Sequence, residues 1–289
     1  MKIGKIKPDI LHLHLEVSTS FAPILKCVSG NSKIAASIYM TRAAAPRWAY
    51  PLFCGIKSAV DRYICGTDEL TQMGVEESRV CRSLKIPIDI KSILPVESAS
   101  NPVYGRHNLS RDSIILLSVG RLHPDKQHDL IIQCMPDLIR HNGKFRLVIL
   151  GEGPERKKIE RMISCIGADD YVVLAGFHHD VDNYYSAASI YLRASRNEGT
   201  NLSVLRAMAH KLPIIANFNN SPCECIRDRI NGRQADFRYK SEVIQAISEL
   251  ISDPESASCY GETALQDVQE YDLEECMEGL QNIYEEITG

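Results

Sequence analysis

Short apolar runs alternate along this chain with stretches whose apolar residues fall at three- and four-residue spacing. Ile10–Leu15, Ile34–Met40 and Asp61–Thr67 read as strands, too short and too rich in aliphatic residues for helices. Ser18–Ser29 and Pro51–Val60 read as helices, and Asp68–Met73 as a helix start. Residues 96–112, rich in Ser, Asn and Pro and without periodicity, read as a linker. A second series opens at Ile114-Ile-Leu-Leu-Ser-Val119. It continues through helix 127–141, strand Phe145–Leu150, helix Glu155–Cys165, strand Tyr171–Leu174, a helical turn at 180–187 and strand Ile190–Arg193. Helix 202–210 and strand 213–216 follow, and Ser241–Ile251 and Leu273–Ile287 are helices by their apolar spacing. Strands alternating with helices predict parallel α/β sheets, here in two domains.

Composition narrows the class without naming it. The chain has 289 residues, 44% hydrophobic and 24% charged, as in a water-soluble globular protein of two ordinary domains. A net charge of -4 gives no bulk attraction to nucleic acid. No apolar run approaches the roughly 18–20 residues that span a bilayer, and Met1–Asp9 lacks the apolar core of a signal peptide. A cytoplasmic location is therefore expected. The ten cysteines are scattered, with no C-x-x-C, and read as reduced thiols. His12 and His14 share one strand face but have no neighbouring Cys or carboxylate pair, so no metal site is expected.

Four segments carry candidate chemistry. Gly120-Arg-Leu-His-Pro-Asp-Lys126 follows a buried strand, bringing Arg121 and Lys126 to the edge where open α/β sheets bind ligands. Taken alone it also fits a solvated charged turn. Gly151-Glu-Gly-Pro154 is a tight turn after the next strand, and Gly176-Phe-His178 ends the strand after that. Phe177 and His178 read equally as base contacts or as a core ring and an exposed imidazole. The fourth segment, Arg196–Ala216, reads as a loop, an amphipathic helix and a buried strand. Glu198 and Gly199 stand just before that helix, where backbone N–H groups face an anion and where Glu198 could equally act as the cap.

Together these segments resemble the donor-binding signature of retaining nucleotide-sugar glycosyltransferases with two Rossmann-like domains, the large family 4 (group 1) type. The resemblance runs over about residues 5–289 and is densest from 113 to 235. It implies a GT-B architecture: a partial acceptor-side domain at 1–100, a donor-binding domain at 108–270, and a helix at 271–289 crossing back to the first domain. Arg121 and Lys126 match the G-R-x-x-x-x-K pair that binds the donor diphosphate, with Gln127 where a glycine is usual. Glu198, the implied catalytic-site acid, addresses the sugar hydroxyls. Backbone of Gly199, Thr200, Asn201 and Leu202 meets sugar and distal phosphate, Gly120 opens the diphosphate loop, and Phe177 and His178 lie against the base. Arg206 stands eight residues after Glu198, where the family has a second acid that accepts the ribose hydroxyls. A guanidinium only donates, so it cannot replace that acceptor. Its other reading is a salt bridge to a nearby acid.

Lys7-Pro-Asp-Ile-Leu-His-Leu-His14 resembles a K-P-D-I-V-H-x-H strand that in the family stands mid-domain, Tyr39 falls where a histidine is usual, and Pro87-Ile-Asp89 matches the end of that domain. The resemblance thus implies an N-terminally truncated domain with an exposed apolar edge, and a partner chain or peripheral membrane contact at residues 1–40. The implied activity is transfer of a sugar from a UDP- or GDP-linked donor, with retention, to a glycan, lipid-linked or other acceptor in polysaccharide or glycan biosynthesis. No cofactor or metal is needed. The alternatives are a non-catalytic nucleotide-sugar-binding or pairing protein, a truncated-gene remnant, or a sugar-nucleotide epimerase of the same architecture.

Overall fold

The computed structural model describes residues 6–14, 16–38, 57–65, 69–72, 74–81, 85–93, 100–196, 201–218, 223 and 225–289. They divide into two compact units. Residues 1–87 with 270–289 make the first, and residues 88–269 the second. Among the described residues no helix is long and apolar enough to cross a membrane.

The first unit holds a parallel sheet of β1 (Ile10–His14), β2 (Lys33–Ile38), β3 (Arg62–Cys65) and β4 (Val80–Cys81), in that order. Alternation along β2 serves two layers. Ile34, Ala36 and Ile38 pack with Tyr63, Cys65, Leu25 and Val80 on one face. Ala35 and Ile64 face Ile283, Leu280 and Ile287 on the other. On that second face His12 links strand and helix, its Nδ1 2.5 Å from Tyr284 Oη and its Nε2 2.7 Å from Ser37 Oγ. The expected helix 18–29 is instead a short turn of helix at Glu16–Thr19 followed by α1 (Ala22–Ser29). Pro23 falls in the first turn of α1, where its missing N–H costs nothing, so a new helix starts there. Phe21, Ile24 and Val28 remain exposed beside or on α1. Most of the expected helix 51–60 and the position of Tyr39 lie outside the described residues.

The second unit is a six-stranded parallel sheet of β5 (Ile114–Val119), β6 (Phe145–Leu150), β7 (Val172–Gly176), β8 (Ile190–Arg193), β9 (Ile214–Asn217) and β10 (Arg233–Ala235). Its spatial order is β10-β9-β8-β5-β6-β7. Helices α2 (Pro102–Arg106), α3 (His128–Ile132), α4 (Met135–His141), α5 (Arg156–Cys165), α6 (Val181–Ala187), α7 (Leu202–Ala209), α8 (Lys240–Ser252) and α9 (Pro254–Val268) complete the unit. The last helix, α10 (Leu273–Thr288), belongs to the first unit and supplies the Ile283 face described above.

Three expectations are corrected here. Residues 101–112 are not plain linker: Asn101 caps α2, is buried, and donates to Asn183 O at 2.7 Å, tying α2 to α6. The helix expected at 127–141 is two helices, because Pro136 cannot sit inside one and instead opens α4. Helix α9 went unforeseen, since its polar sequence and central Gly261 read against a helix. Gly261 is required there: a Cβ would overlap the Lys211 carbonyl oxygen on the turn after α7.

Candidate functional site

Read outward from β5, the second sheet runs to β6 and β7 on one side and to β8, β9 and β10 on the other. The strand order therefore reverses between β5 and β8, and open α/β sheets bind ligands at the carboxyl ends beside such a reversal. Two of the candidate segments leave the sheet at this point, Gly120–Gln127 from β5 and Ala194–Asn201 from β8. They meet through a backbone bond, Arg196 N donating to Asp125 O at 3.0 Å. Glu198, Gly199 and Thr200 lie outside the described residues.

Glycines let the first loop lie flat on its neighbours. Gly120 N donates to Leu150 O, Leu122 N to Glu152 O, and Gly151 N to Gly176 O, at 2.8 to 3.0 Å. A Cβ on Gly151 would overlap the Gly120 carbonyl, and one on Gly153 the backbone of Leu122. The Gly151–Pro154 turn is thus a backbone bed for the Arg121 loop. Leu122 is buried and anchors that loop from below. The Lys126 stem runs past Gly120, 3.3 Å from where a Cβ would stand. Arg121 is exposed; its carbonyl accepts from His123 N at 2.8 Å, and its side chain makes no hydrogen bond or ion pair among the described residues. Gln127 takes a left-handed conformation (φ 52°) at the position where the resemblance has glycine. Beneath the loop, His128 is buried with Nδ1 3.3 Å from Ser118 Oγ, and burial pushes its imidazole down to about 4.

At the end of β7 the two readings for Phe177 and His178 come out reversed. Phe177 is 69% exposed, an open ring with only His179 at its edge. His178 is the packed residue. Its Nε2 donates to Ala175 O at 2.9 Å, and its Nδ1 faces Arg106 at 3.4 Å and Asp180 at 3.5 Å. The Arg106–Asp180 pair, at 2.8 Å, holds the Asp180 carboxyl down at about 2. This cluster fixes the loop, and of the two residues Phe177 is the one with an exposed face.

The cap of α7 is Asn201. Its Oδ1 accepts from Val204 N at 3.0 Å and from Ser203 Oγ at 2.7 Å. The capping role considered for Glu198 is therefore filled by another residue. Leu202 is exposed, while Val204, Leu205, Ala207 and Met208 bury the inner face of α7. Arg206 makes the ion pair considered for it: Nε stands 3.5 Å from Asp182 Oδ1. His210 Nε2 meets the same oxygen at 3.0 Å, and its ring stacks on Tyr185. Burial lowers the His210 imidazole, with Asp182 opposing. Neither Asp182 nor His210 was foreseen. Asp182 lies in α6 and His210 just past the end of α7, and no motif spacing marks their meeting.

Known proteins resemble this chain in sequence and in fold. The model of the family Glycosyl transferases group 1 matches residues 105–267, more than half of the chain. An uncharacterized glycosyltransferase of Haemophilus influenzae is 32% identical over 142 residues, 48% of this chain and 40% of its own. The alpha-D-kanosaminyltransferase of Streptomyces kanamyceticus is 28% identical over 179 residues, 61% of this chain and 46% of its own. This chain thus spans about half or less of the length of those relatives. Among solved structures, Anabaena HepE in complex with UDP superposes with a TM-score of 0.87 at 13% identity, over 98% of this chain and 82% of that one.

Proposed function

The chain belongs to the group 1 glycosyl transferases and has their α/β fold of two parallel sheets, the GT-B type, and from that premise we propose that it transfers a sugar from a nucleotide-sugar donor to an acceptor. The observation that carries this reading is the meeting of two loops at the reversal of the second sheet. One loop brings Arg121 and Lys126, and the other leads into the N-terminus of α7.

In this reading a nucleoside diphosphate lies with its base against the exposed ring of Phe177, and its diphosphate against Gly120, Arg121 and Lys126. His178 contributes through the backbone, since its ring is held by Ala175 and Arg106. As the bond from sugar to diphosphate breaks, negative charge builds on the leaving group, and two cations already in place stabilise it more than they stabilise the bound donor. These side chains do what a metal would do, so the reading uses none and needs no cofactor. Glu198 orients the sugar through its hydroxyls. Backbone N–H groups of Gly199, Thr200, Asn201 and Leu202, at the start of α7, receive sugar and phosphate oxygens. The acceptor attacks from the face the diphosphate leaves, which retains the anomeric configuration without a protein nucleophile. UDP and GDP are the first leaving groups to test, and a glycan or lipid-linked hydroxyl the acceptor class.

The test is a panel of UDP- and GDP-sugars incubated with the chain, followed by nuclear magnetic resonance of the released sugar or product. Release of the nucleoside diphosphate with an anomer matching the donor supports the reading. Tight nucleotide binding with no turnover on any donor would favour a non-catalytic binding protein instead.

A further inference from the structure

Asp182 stands in the first turn of α6, five residues past the exposed ring of Phe177. It faces the outer side of α7, where Arg206 and His210 approach it at 3.5 and 3.0 Å. Both contacts fall on Oδ1. Oδ2 receives no hydrogen bond or ion pair from the described residues, and the side chain is 28% exposed. A carboxylate only accepts, so the proton between His210 and Asp182 sits on Nε2, with Ser186 Oγ 3.5 Å from the other ring nitrogen. His210 is almost wholly buried and stacked on Tyr185, so it anchors the carboxylate from beneath. Asp182 is thus oriented by two partners on one oxygen, while the other oxygen has no partner among the described residues.

We propose that Asp182 is a specificity-determining residue of the donor site, its carboxylate accepting the ribose hydroxyls of the nucleotide. The proposal rests on the donor-site reading above. In a nucleoside diphosphate the ribose lies between base and diphosphate. Asp182 stands on α6, which follows Phe177, the proposed base platform, and it pairs with Arg206 on α7, the helix that the β8 loop enters. A carboxylate repels the diphosphate, so the hydroxyls are the part of the ligand it can serve. The two lone pairs of Oδ2 can accept from two neighbouring hydroxyls. Arg206, on the same ion pair, then acts as a positioning residue that holds the acceptor in place. The missing acid at position 206 has its function supplied from the facing helix.

Titration calorimetry with UDP, GDP and their 2′-deoxy forms decides the matter on the wild type and on Asp182→Asn, Asp182→Glu and Arg206→Gln. The wild type should bind the ribonucleotide about tenfold or more tightly than its 2′-deoxy form. In Asp182→Asn that ratio should fall to about two- to threefold, mostly through weaker ribonucleotide binding. Asp182→Glu should keep part of the discrimination. Arg206→Gln should lower the ratio less than Asp182→Asn does. A merely structural Asp182 would weaken both nucleotide forms equally and leave the ratio unchanged, which overturns the proposal. Wild-type binding without discrimination between the two forms also overturns it, while leaving the donor-site reading intact. Absence of wild-type binding to either nucleotide removes both.

Discussion

The two sheets of this chain are built from the same parallel strand-and-helix repeat, yet their strand orders differ in one respect that bears on function. In the first unit the described strands lie in chain order, β1 to β4, without reversal. In the second, β5 lies inside the sheet with later strands on both sides. Connections that leave in opposite directions open a crevice between the strands they leave from. Of the described candidates for the proposed donor site, Gly120, Arg121 and Lys126 follow β5 and Asn201, Leu202 and Arg206 follow β8, the two strands at that reversal, while Phe177 and His178 follow β7. The first unit repeats the strand and the helix but has no such reversal among its described strands. Its polar interior contact, His12 with Tyr284 and Ser37, joins a strand to a helix on the covered face. Repeat alone makes a core, and the proposed donor site lies where the order reverses.

The comparison can be broken most sharply at the glycine bed. Gly151→Ala drives a methyl group into the Gly120 carbonyl at a backbone angle (φ 140°) that side chains avoid. A loss of about 3–5 kcal/mol in urea-melt stability is expected. Gly143, in a turn with nothing near its missing Cβ, serves as the control, and Gly143→Ala should change stability by about 0.5 kcal/mol or less. Equal effects at the two positions would mean that the β5 loop does not rest on the Gly151 turn.

Acid should reveal the next effect. His128 titrates near 6.5 unfolded and is pushed down to about 4 by burial in the fold. Between those values the unfolded chain binds the extra proton, so stability is full above about pH 6.5 and falls as the pH drops towards 4. The expected loss from this group is about 3 kcal/mol across that window. His128→Phe should flatten the slope of denaturant midpoint against pH. An unchanged slope would show that His128 is already charged or solvated in the folded chain. His12, also lowered to about 4 by burial and by the neighbouring His14, should add its own loss of stability over the same range.

Arg206→Glu brings a carboxylate against Asp182, 3.5 Å from the present guanidinium nitrogen. Nucleoside diphosphate affinity should drop about three- to tenfold. Tighter binding would mean that position 206 itself still reaches the ribose, as a family acid does. The smallest effect is expected at Gln127→Gly. Relief of its left-handed backbone, offset by the greater freedom of glycine in the unfolded chain, should raise stability by about 0.5–1 kcal/mol in thermal melts.

How much of this was legible in the sequence depends on what kind of contact each feature uses. Strands β5, β6 and β8 were plain because burial on both faces leaves continuous apolar runs, as in Ile114–Val119. The Gly120–Lys126 loop was plain because its glycine and cations sit at fixed offsets from a strand end. Helix α9 was hidden, since it packs through the small residues Ala257, Gly261 and Ala264, which carry little hydrophobic signal. Phe177 and His178 were indistinguishable in sequence, because hydrophobicity assigns the ring inward while the Arg106–Asp180–Tyr184 cluster draws the imidazole in instead. The Asp182–Arg206–His210 contact depends on how α6 packs on α7, a geometry that neither helix states in its own sequence.

Calorimetric titration of UDP and GDP into the wild-type chain and into Arg121→Ala and Lys126→Ala tests most directly whether the reversal in the second sheet is the donor site. Each charge-assisted contact should contribute about 1.5–3 kcal/mol, so each substitution should weaken nucleotide binding about tenfold or more in a protein that remains folded. Unchanged affinity in both variants would contradict the account, because the nucleotide would then bind somewhere other than the loops that meet between β5 and β8.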